Sequence, residues 1–194
     1  MARSETHYLR LVETSSPDDV EPRADDHDGM LLGFVDMSRA SDVALETIVA
    51  RVQPAWAFDL RPVPYFHIGR LNRRRMFELF RTWSVCYRDV AGSLRITENN
   101  DASLNSGAVG SFLNQTMAMR PVHAPIVVFV DHETALSHAM SVLPRYLRPS
   151  LASSWCARAL DVELRDGDPQ LILRTAHGDT HALEAKWLGD RSTR

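Results

Sequence analysis

The chain has little of the residues that most directly indicate a chemistry or a membrane location. Lys186 is the only lysine among 22 basic residues, and the only two cysteines are Cys86 and Cys156. Because the cysteines are far apart and form no Cys-x-x-Cys pair, the spacing of zinc sites and redox dithiols is missing. No apolar stretch reaches the roughly 18–20 residues of a membrane-spanning helix. We therefore expect structural thiols, no cysteine-based metal site and no membrane partner.

A strong net charge and an apolar leader are also missing. The net charge is −3, so no broad basic surface is expected to attract nucleic acid. The first residues lack the apolar core of a secretory signal, which predicts a cytoplasmic location. Residues 1–28 are polar and acidic, and we predict that they form a flexible segment. The preference for arginine over lysine is typical of proteins from GC-rich bacterial genomes.

Short apolar runs alternate with helical patterns along the chain. The runs at residues 30–35, 56–58 and 126–130 are typical of parallel strands covered on both faces. The length of 194 residues and the 44% hydrophobic content fit one globular domain, placed at residues 29–194. The alternation predicts a three-layer α/β fold with a mostly parallel sheet, rhodanese-like or flavodoxin-like. Residues 157–188 alternate apolar and polar positions, which predicts an antiparallel meander that extends the sheet.

Residues that favour helix ends, turns and loops predict where these helices and strands begin and end. Ser41 and Asn72 precede apolar helical stripes and are predicted to cap two helices. Residues 91–106 are predicted to be a loop, and residues 166–169 a turn. A further helix is expected from about residue 134, with Pro144 interrupting or ending it.

A charged loop follows the apolar run at residues 56–58 directly. Asp59 and Arg61 stand where the strand stops, because Pro62 and Pro64 fix φ and remove two backbone donors. Ligands of open α/β sheets bind outside the carboxyl ends of the strands. The sequence therefore predicts a site at this loop.

The same stretch carries a family resemblance. Residues 58–64, Phe-Asp-Leu-Arg-Pro-Val-Pro, resemble the aspartate–hydrophobic–arginine–x–x–proline strand end of an uncharacterised bacterial family of small rhodanese-like α/β proteins. That family continues with a short basic loop and a helix, as residues 69–74 do here, and then with a short strand and a glycine, as residues 85–92 do. The resemblance spans residues 30–147.

The family's later motif is only partly present. A cysteine–x–glutamate strand end and a cysteine–histidine–arginine triplet correspond here to Asp131-His132-Glu133 and Ser137-His138-Ala139. Glu133 and His138 match, whereas both thiols and the arginine are replaced. The resemblance therefore implies a rhodanese-like domain without thiol chemistry, acting as a regulatory or accessory module.

The leading predicted site joins the ends of two strands. Asp59, Arg61, Asp131 and His132 are predicted to bind a ligand there, with Arg61 gripping a phosphate or carboxylate in bidentate fashion. His138 is the candidate general base and Glu133 the residue that orients it. The alternative is that Asp59 and Arg61 form a structural ion pair and that His132 is merely exposed.

Two other groups of residues are candidate sites. His123, Asp131, His132, Glu133 and His138 include metal-ligand types, but their spacing fits no known scheme, so no metal is predicted. Asp168, Glu184 and Lys186 reproduce the aspartate…glutamate–x–lysine spacing of nucleases of the restriction-endonuclease type, in which two carboxylates hold Mg²⁺. A solvated hairpin is the alternative for this group.

The function predicted from sequence is binding of an anionic small molecule or a protein partner by a non-thiol, rhodanese-like domain. One alternative is a hydrolase or phosphoryl-processing enzyme at the same strand-end site. The other is a metal-dependent nuclease built on Asp168, Glu184 and Lys186. The sequence identifies no cofactor, and neither nucleic acid nor membrane is an expected partner.

Overall fold

The computed structural model of the chain describes residues 29–96, 107–119, 124–148, 154–175 and 180–182. The predicted flexible segment at residues 1–28 lies outside these ranges, as do Glu184 and Lys186. For residues 180–182 the backbone alone is described.

The described residues form seven strands and five helices. The strands are β1 (Met30–Asp36), β2 (Trp56–Asp59), β3 (Cys86–Asp89), β4 (Ile126–Val130), β5 (Trp155–Arg165), β6 (Asp168–Arg174) and β7 (Thr180–Ala182). The helices are α1 (Asp42–Val52), α2 (Arg73–Thr82), α3 (Val90–Leu94), α4 (Ala108–Ala118) and α5 (Glu133–Tyr146).

One sheet holds all seven strands, in the order β3-β2-β4-β1-β5-β6-β7. The first five in this order are mutually parallel, and β5, β6 and β7 pair antiparallel at the end. The prediction of a mostly parallel α/β sheet with an antiparallel C-terminal extension is confirmed. The parallel part places β1 between β4 and β5, which differs from the 2-1-3-4-5 order of flavodoxin-like sheets.

Two apolar cores lie on opposite faces of the sheet. On one face α1 and α2 pack over Val35, Val127 and Phe129. On the other face α3, α4 and α5 pack over Phe34 and Val128. Strand β4 is buried along its whole length, as expected of a central strand covered on both sides.

Polar side chains cap the first turns of three helices. Ser41 Oγ accepts a hydrogen bond from the Ala44 N–H, and Asn72 Oδ1 accepts one from the Arg75 N–H, so both predicted caps are confirmed. Asp89 caps α3 in the same way, by accepting from the Gly92 N–H. The prediction of a loop from residue 91 was wrong at its start, because this local capping bond allows one short helix.

Two further boundaries differ from the sequence-based expectation. The β5–β6 turn contains only Asp166 and Gly167, whose φ angles of +53° and +87° are typical of a two-residue hairpin loop. The predicted four-residue turn was therefore too long, and Asp168 opens β6. Pro144 lies inside α5, two residues before its end. None of the described helices is long and apolar enough to cross a bilayer.

Candidate functional site

Asp59 and Arg61, the core of the predicted site, form a closed ion pair. Arg61 Nε donates to Asp59 Oδ1 at 2.9 Å, and Arg61 Nη2 donates to Asp59 Oδ2 at 2.7 Å. The remaining guanidinium nitrogen, Nη1, donates to the Tyr65 carbonyl at 2.9 Å. The side chains are 1% and 0% exposed for Arg61 and Asp59, so the pair is enclosed by protein.

Aromatic rings enclose the pair. The Arg61 guanidinium lies 5.0 Å from the centre of the Phe66 ring and 5.6 Å from that of Tyr65. The Tyr87 hydroxyl donates to Asp59 Oδ2 at 3.1 Å. Burial, followed by the negative charge of Asp59, raises the pKa of Tyr87 far above its ordinary value. The phenol therefore stays protonated and keeps donating.

This geometry favours the structural alternative over the ligand-binding prediction for Asp59 and Arg61. Every guanidinium nitrogen of Arg61 already has an acceptor in the protein, and both carboxylate oxygens of Asp59 accept bonds. Burial opposes the charge of Arg61, yet the hydrogen bond and charge of Asp59 outweigh it, so the pKa of Arg61 is raised. A ligand would have to break this pair to reach either group.

The other residues of the predicted site have separate roles. Asp131 is partly buried and contributes to the electrostatic environment of Arg61. His132 is the N-cap of α5, where its Nδ1 accepts a hydrogen bond from the Ala135 N–H at 3.2 Å. His132 is exposed, as the alternative to the binding site predicted, and its structural role is to cap the helix.

Glu133 does not orient His138. The two residues are five positions apart on α5, which turns them roughly 140° away from each other around the helix axis. The Glu133 carboxylate instead pairs with Arg39 of the β1–α1 loop at 3.2 Å. The acid–base pair predicted from the sequence is therefore not assembled.

The metal and nuclease alternatives gain no support. Within the described ranges, no three histidine, cysteine, aspartate or glutamate side chains group closely enough to hold a metal ion. Asp168 is exposed and lies opposite Arg165 at the start of the β5–β6 hairpin. Its two predicted partners, Glu184 and Lys186, lie outside the described residues.

A cleft that the sequence did not single out lies at the carboxyl end of β1. Its polar side chains are Asp36 at the end of β1, Arg39 in the following loop, Asp161 on β5 and Arg174 on β6. Most of the space between these residues is open to solvent, and the part that can hold a water molecule is only about 10 Å³. The apolar part of its wall comes from Val35, Ala40, Ala44, Ile48, Leu136 and Leu160.

The cleft lies on the β5 side of β1, and a change in the direction of the strand connections lies on the other side of β1. The neighbours β1 and β4 send their connections in opposite directions, β1 through α1 to β2 and β4 through α5 to β5. Because α1 and α5 lie on opposite faces, the loops that leave the two strands diverge. Such a switch point is where open α/β sheets bind ligands.

Two buried polar atoms in the cleft lack partners. Asp36 is 7% exposed, and only its Oδ1 accepts bonds, from the Ser38 N–H at 2.9 Å and the Ser38 hydroxyl at 2.7 Å. Within the described part of the protein, Asp36 Oδ2 and Arg174 Nε have no hydrogen-bond partner. Buried polar groups are normally paired, so one acceptor and one donor here are left unsatisfied by the described residues.

Each arginine of the cleft forms an ion pair with one carboxylate. Arg174 Nη2 contacts Asp161 Oδ2 at 3.3 Å, and Arg39 pairs with Glu133 across the cleft mouth. Asp36 could have been found from the sequence, since it follows an apolar strand just as Asp59 does. Arg174 carries no such signal, because only the antiparallel pairing of β6 with β5 brings it to β1.

No protein-family model, curated protein or solved structure matches this chain.

Proposed function

We propose that the protein binds a small anionic molecule in the cleft at the carboxyl end of β1. The observation that supports this proposal concerns Arg174. Its Nε is a buried, charged donor that has no acceptor within the described residues. A carboxylate or phosphate oxygen is the acceptor that a guanidinium pairs with best. Arg39 lines the same cleft, although its guanidinium is paired with Glu133.

This proposal keeps the anionic ligand expected from the sequence and moves its site. The predicted contact through Arg61 is replaced by one through Arg174, because Arg61 is enclosed in its pair with Asp59. Binding is favoured over catalysis because the described lining of the cleft includes no serine, cysteine, histidine or lysine. The rhodanese-like resemblance agrees with a non-thiol regulatory or accessory module.

Thermal unfolding in the presence of a ligand panel tests the proposal. The panel contains inorganic phosphate, sulfate, nucleotides and small carboxylates. At least one member should raise the melting temperature of the wild type, because a ligand that binds only the folded state stabilises it. Arg174→Gln should abolish that shift.

Arg165→Gln is the matched control, since Arg165 is an exposed arginine on the same β5–β6 hairpin, away from the cleft lining. It should leave the shift intact. If no panel member stabilises the wild type, the small-molecule proposal fails and a protein-partner module becomes the better hypothesis. A shift that survives in Arg174→Gln would place the binding site elsewhere.

A further inference from the structure

We propose that the loop after β2 and the outer side of α2 form a docking surface for an acidic segment of another protein. The surface consists of Val63 and Tyr65 in the loop and of Arg73, Phe77 and Arg81 on α2. An apolar side chain of the partner packs on the loop and on Phe77, and its carboxylates pair with the two arginines. This surface is separate from the cleft at the end of β1, so the inference goes beyond the proposed function.

Exposed apolar side chains concentrate in this part of the described structure. Val63 is 72% exposed, Tyr65 is 58% exposed and Phe77 is 37% exposed. Single exposed apolar residues are common on any protein surface, whereas a group of them marks an interaction site. The question is therefore whether these three belong to one region.

Contacts between side chains join the loop to α2. The Arg61 guanidinium lies 5.6 Å from the centre of the Tyr65 ring and 5.0 Å from that of Phe66. The Phe66 and Phe77 ring centres are 6.2 Å apart, and the Arg73 guanidinium lies 5.6 Å from the Phe77 ring centre. The exposed rings and Arg73 therefore form one continuous region.

The loop is held in one conformation before any partner arrives. Pro62 and Pro64 fix two φ angles. The Arg61 N–H donates to Asp59 Oδ1 at 3.1 Å, and Arg61 Nη1 donates to the Tyr65 carbonyl at 2.9 Å. A loop that is already ordered loses little conformational entropy on binding. The buried ion pair therefore favours docking, because it fixes the segment that presents the exposed side chains.

The charges of α2 indicate an acidic partner. Four of its ten residues are arginines, and its one acid, Glu78, pairs with Arg74 at 2.9 Å. Within the described ranges, no carboxylate pairs with Arg73 or Arg81. Arg73, Phe77 and Arg81 follow one another at intervals of four residues, which places them in one stripe along the helix. Carboxylates that flank an apolar side chain complement this stripe in charge and in order.

A protein segment fits this surface better than a nucleic acid does. Binding to a nucleic acid draws its strength from many phosphate contacts, and the net charge of −3 opposes a long phosphate backbone. Val63 is aliphatic, so it provides neither a charge for a phosphate nor a ring on which a base stacks. Tyrosine, phenylalanine and arginine are all enriched at protein–protein interfaces.

Selection from a library of random peptides displayed on phage, with the full chain as the target, tests the inference. Peptides enriched on the wild type should combine aspartate or glutamate with an aromatic or aliphatic residue. Fluorescence anisotropy with a synthetic copy of an enriched peptide then gives affinities. Tyr65→Ser and the double variant Arg73→Gln/Arg81→Gln should each weaken binding about tenfold. Tyr65→Ser keeps the backbone carbonyl that accepts from Arg61, so the loop should stay folded.

Leu164→Ser and Arg165→Gln are the matched controls, since both residues are exposed on the β5–β6 hairpin, toward the other edge of the sheet. They should leave the affinity unchanged, and so should Arg174→Gln, which separates this surface from the cleft. The inference is overturned if no peptide is enriched, if the enriched peptides lack acidic residues, or if they bind the surface variants as tightly as the wild type. Tighter binding of a single-stranded oligonucleotide than of any peptide would also overturn it and would assign the surface to nucleic acid.

Discussion

Two aspartates lie at the carboxyl ends of strands in the same sheet, and they differ in how many of their oxygens accept hydrogen bonds. Asp59 ends β2 and accepts bonds on both oxygens from Arg61 and Tyr87. Asp36 ends β1 and accepts bonds on one oxygen only, both from Ser38. An aspartate at the end of a buried strand therefore does not by itself define a binding site.

The spacing of the next arginine accounts for the difference. Arg61 is two residues after Asp59, and its guanidinium folds back onto that carboxylate. Ser38 occupies the equivalent place after Asp36, and Arg39 follows one position later and points to Glu133. The first arrangement is closed and stabilises the fold, whereas the second leaves an acceptor facing a cleft.

The largest expected effect is a difference in the free energy of unfolding between variants of the buried pair and variants of the cleft. Arg61→Met removes the partner of a buried carboxylate, so the free energy of unfolding should fall by about 3–5 kcal/mol. Arg174→Met breaks a partly exposed pair and should cost no more than about 1 kcal/mol. Urea denaturation of both variants measures the difference. Equal losses would mean that the cleft pair is as structural as the buried one.

The next effect concerns the hydroxyl that completes the closed pair. Tyr87→Phe removes one donor from Asp59 while Arg61 remains, which should cost about 1–2 kcal/mol. Because burial and Asp59 raise the pKa of Tyr87 in the folded protein, the unfolded chain ionises first as pH increases. The contribution of Tyr87 is therefore complete below its ordinary pKa of 10.0 and is lost as the pH rises above it.

The measurement is the melting temperature of wild type and Tyr87→Phe from neutral to strongly alkaline pH. The variant should start lower and lose less stability on the alkaline side. Parallel curves would show that another group carries the alkaline transition and that the Tyr87 bond is weaker than its geometry indicates.

A smaller effect is expected at the open carboxylate. Asp36→Asn keeps an oxygen that can accept the two Ser38 hydrogen bonds. It removes the charge of a carboxylate whose second oxygen has no partner among the described residues, so the free energy of unfolding should change by less than about 1 kcal/mol. Asp59→Asn is the matched comparison, and it should cost several times more because Arg61 would be left buried without its counter-ion. If Asp36→Asn destabilises as much as Asp59→Asn, Asp36 is a structural group, and its role in a binding cleft is contradicted.

Local patterns were sufficient to predict most of the fold. Apolar runs located the central strands, and Ser41 and Asn72 marked two helix starts, because these signals act over a few residues. The site was harder to predict. Asp59 and Arg61 were visible as neighbours in the sequence, but their burial depended on Phe66, later in the same loop, and on Tyr87 of β3.

The cleft could not be assembled from sequence because its parts come from β1, β5 and β6. The expected contact of Glu133 with His138 failed for a different, local reason. Their spacing brought them close in sequence, while the helix turned them apart and Arg39 reached Glu133 from another loop. Strand order, which no local pattern encodes, decided which charges met.

The smallest expected effect concerns a third aspartate–arginine pair, which lies at the surface and serves as a reference for the other two. Arg70 donates to Asp42 Oδ2 from its backbone N–H at 2.9 Å and from its Nε at 3.0 Å. Hydrogen bonds from the backbone and then the side chain of Arg70 lower the pKa of Asp42 from 3.8 to about 2. Because the folded pKa is the lower one, the pair stabilises the protein above the unfolded pKa and loses its effect as the pH falls toward 2. Asp42→Asn should therefore lower the melting temperature at neutral pH by the small amount expected for an exposed pair, and the difference from the wild type should vanish as the pH falls toward 2. An Asp42→Asn loss at neutral pH as large as that of Arg61→Met would mean that burial is not what distinguishes the closed pair.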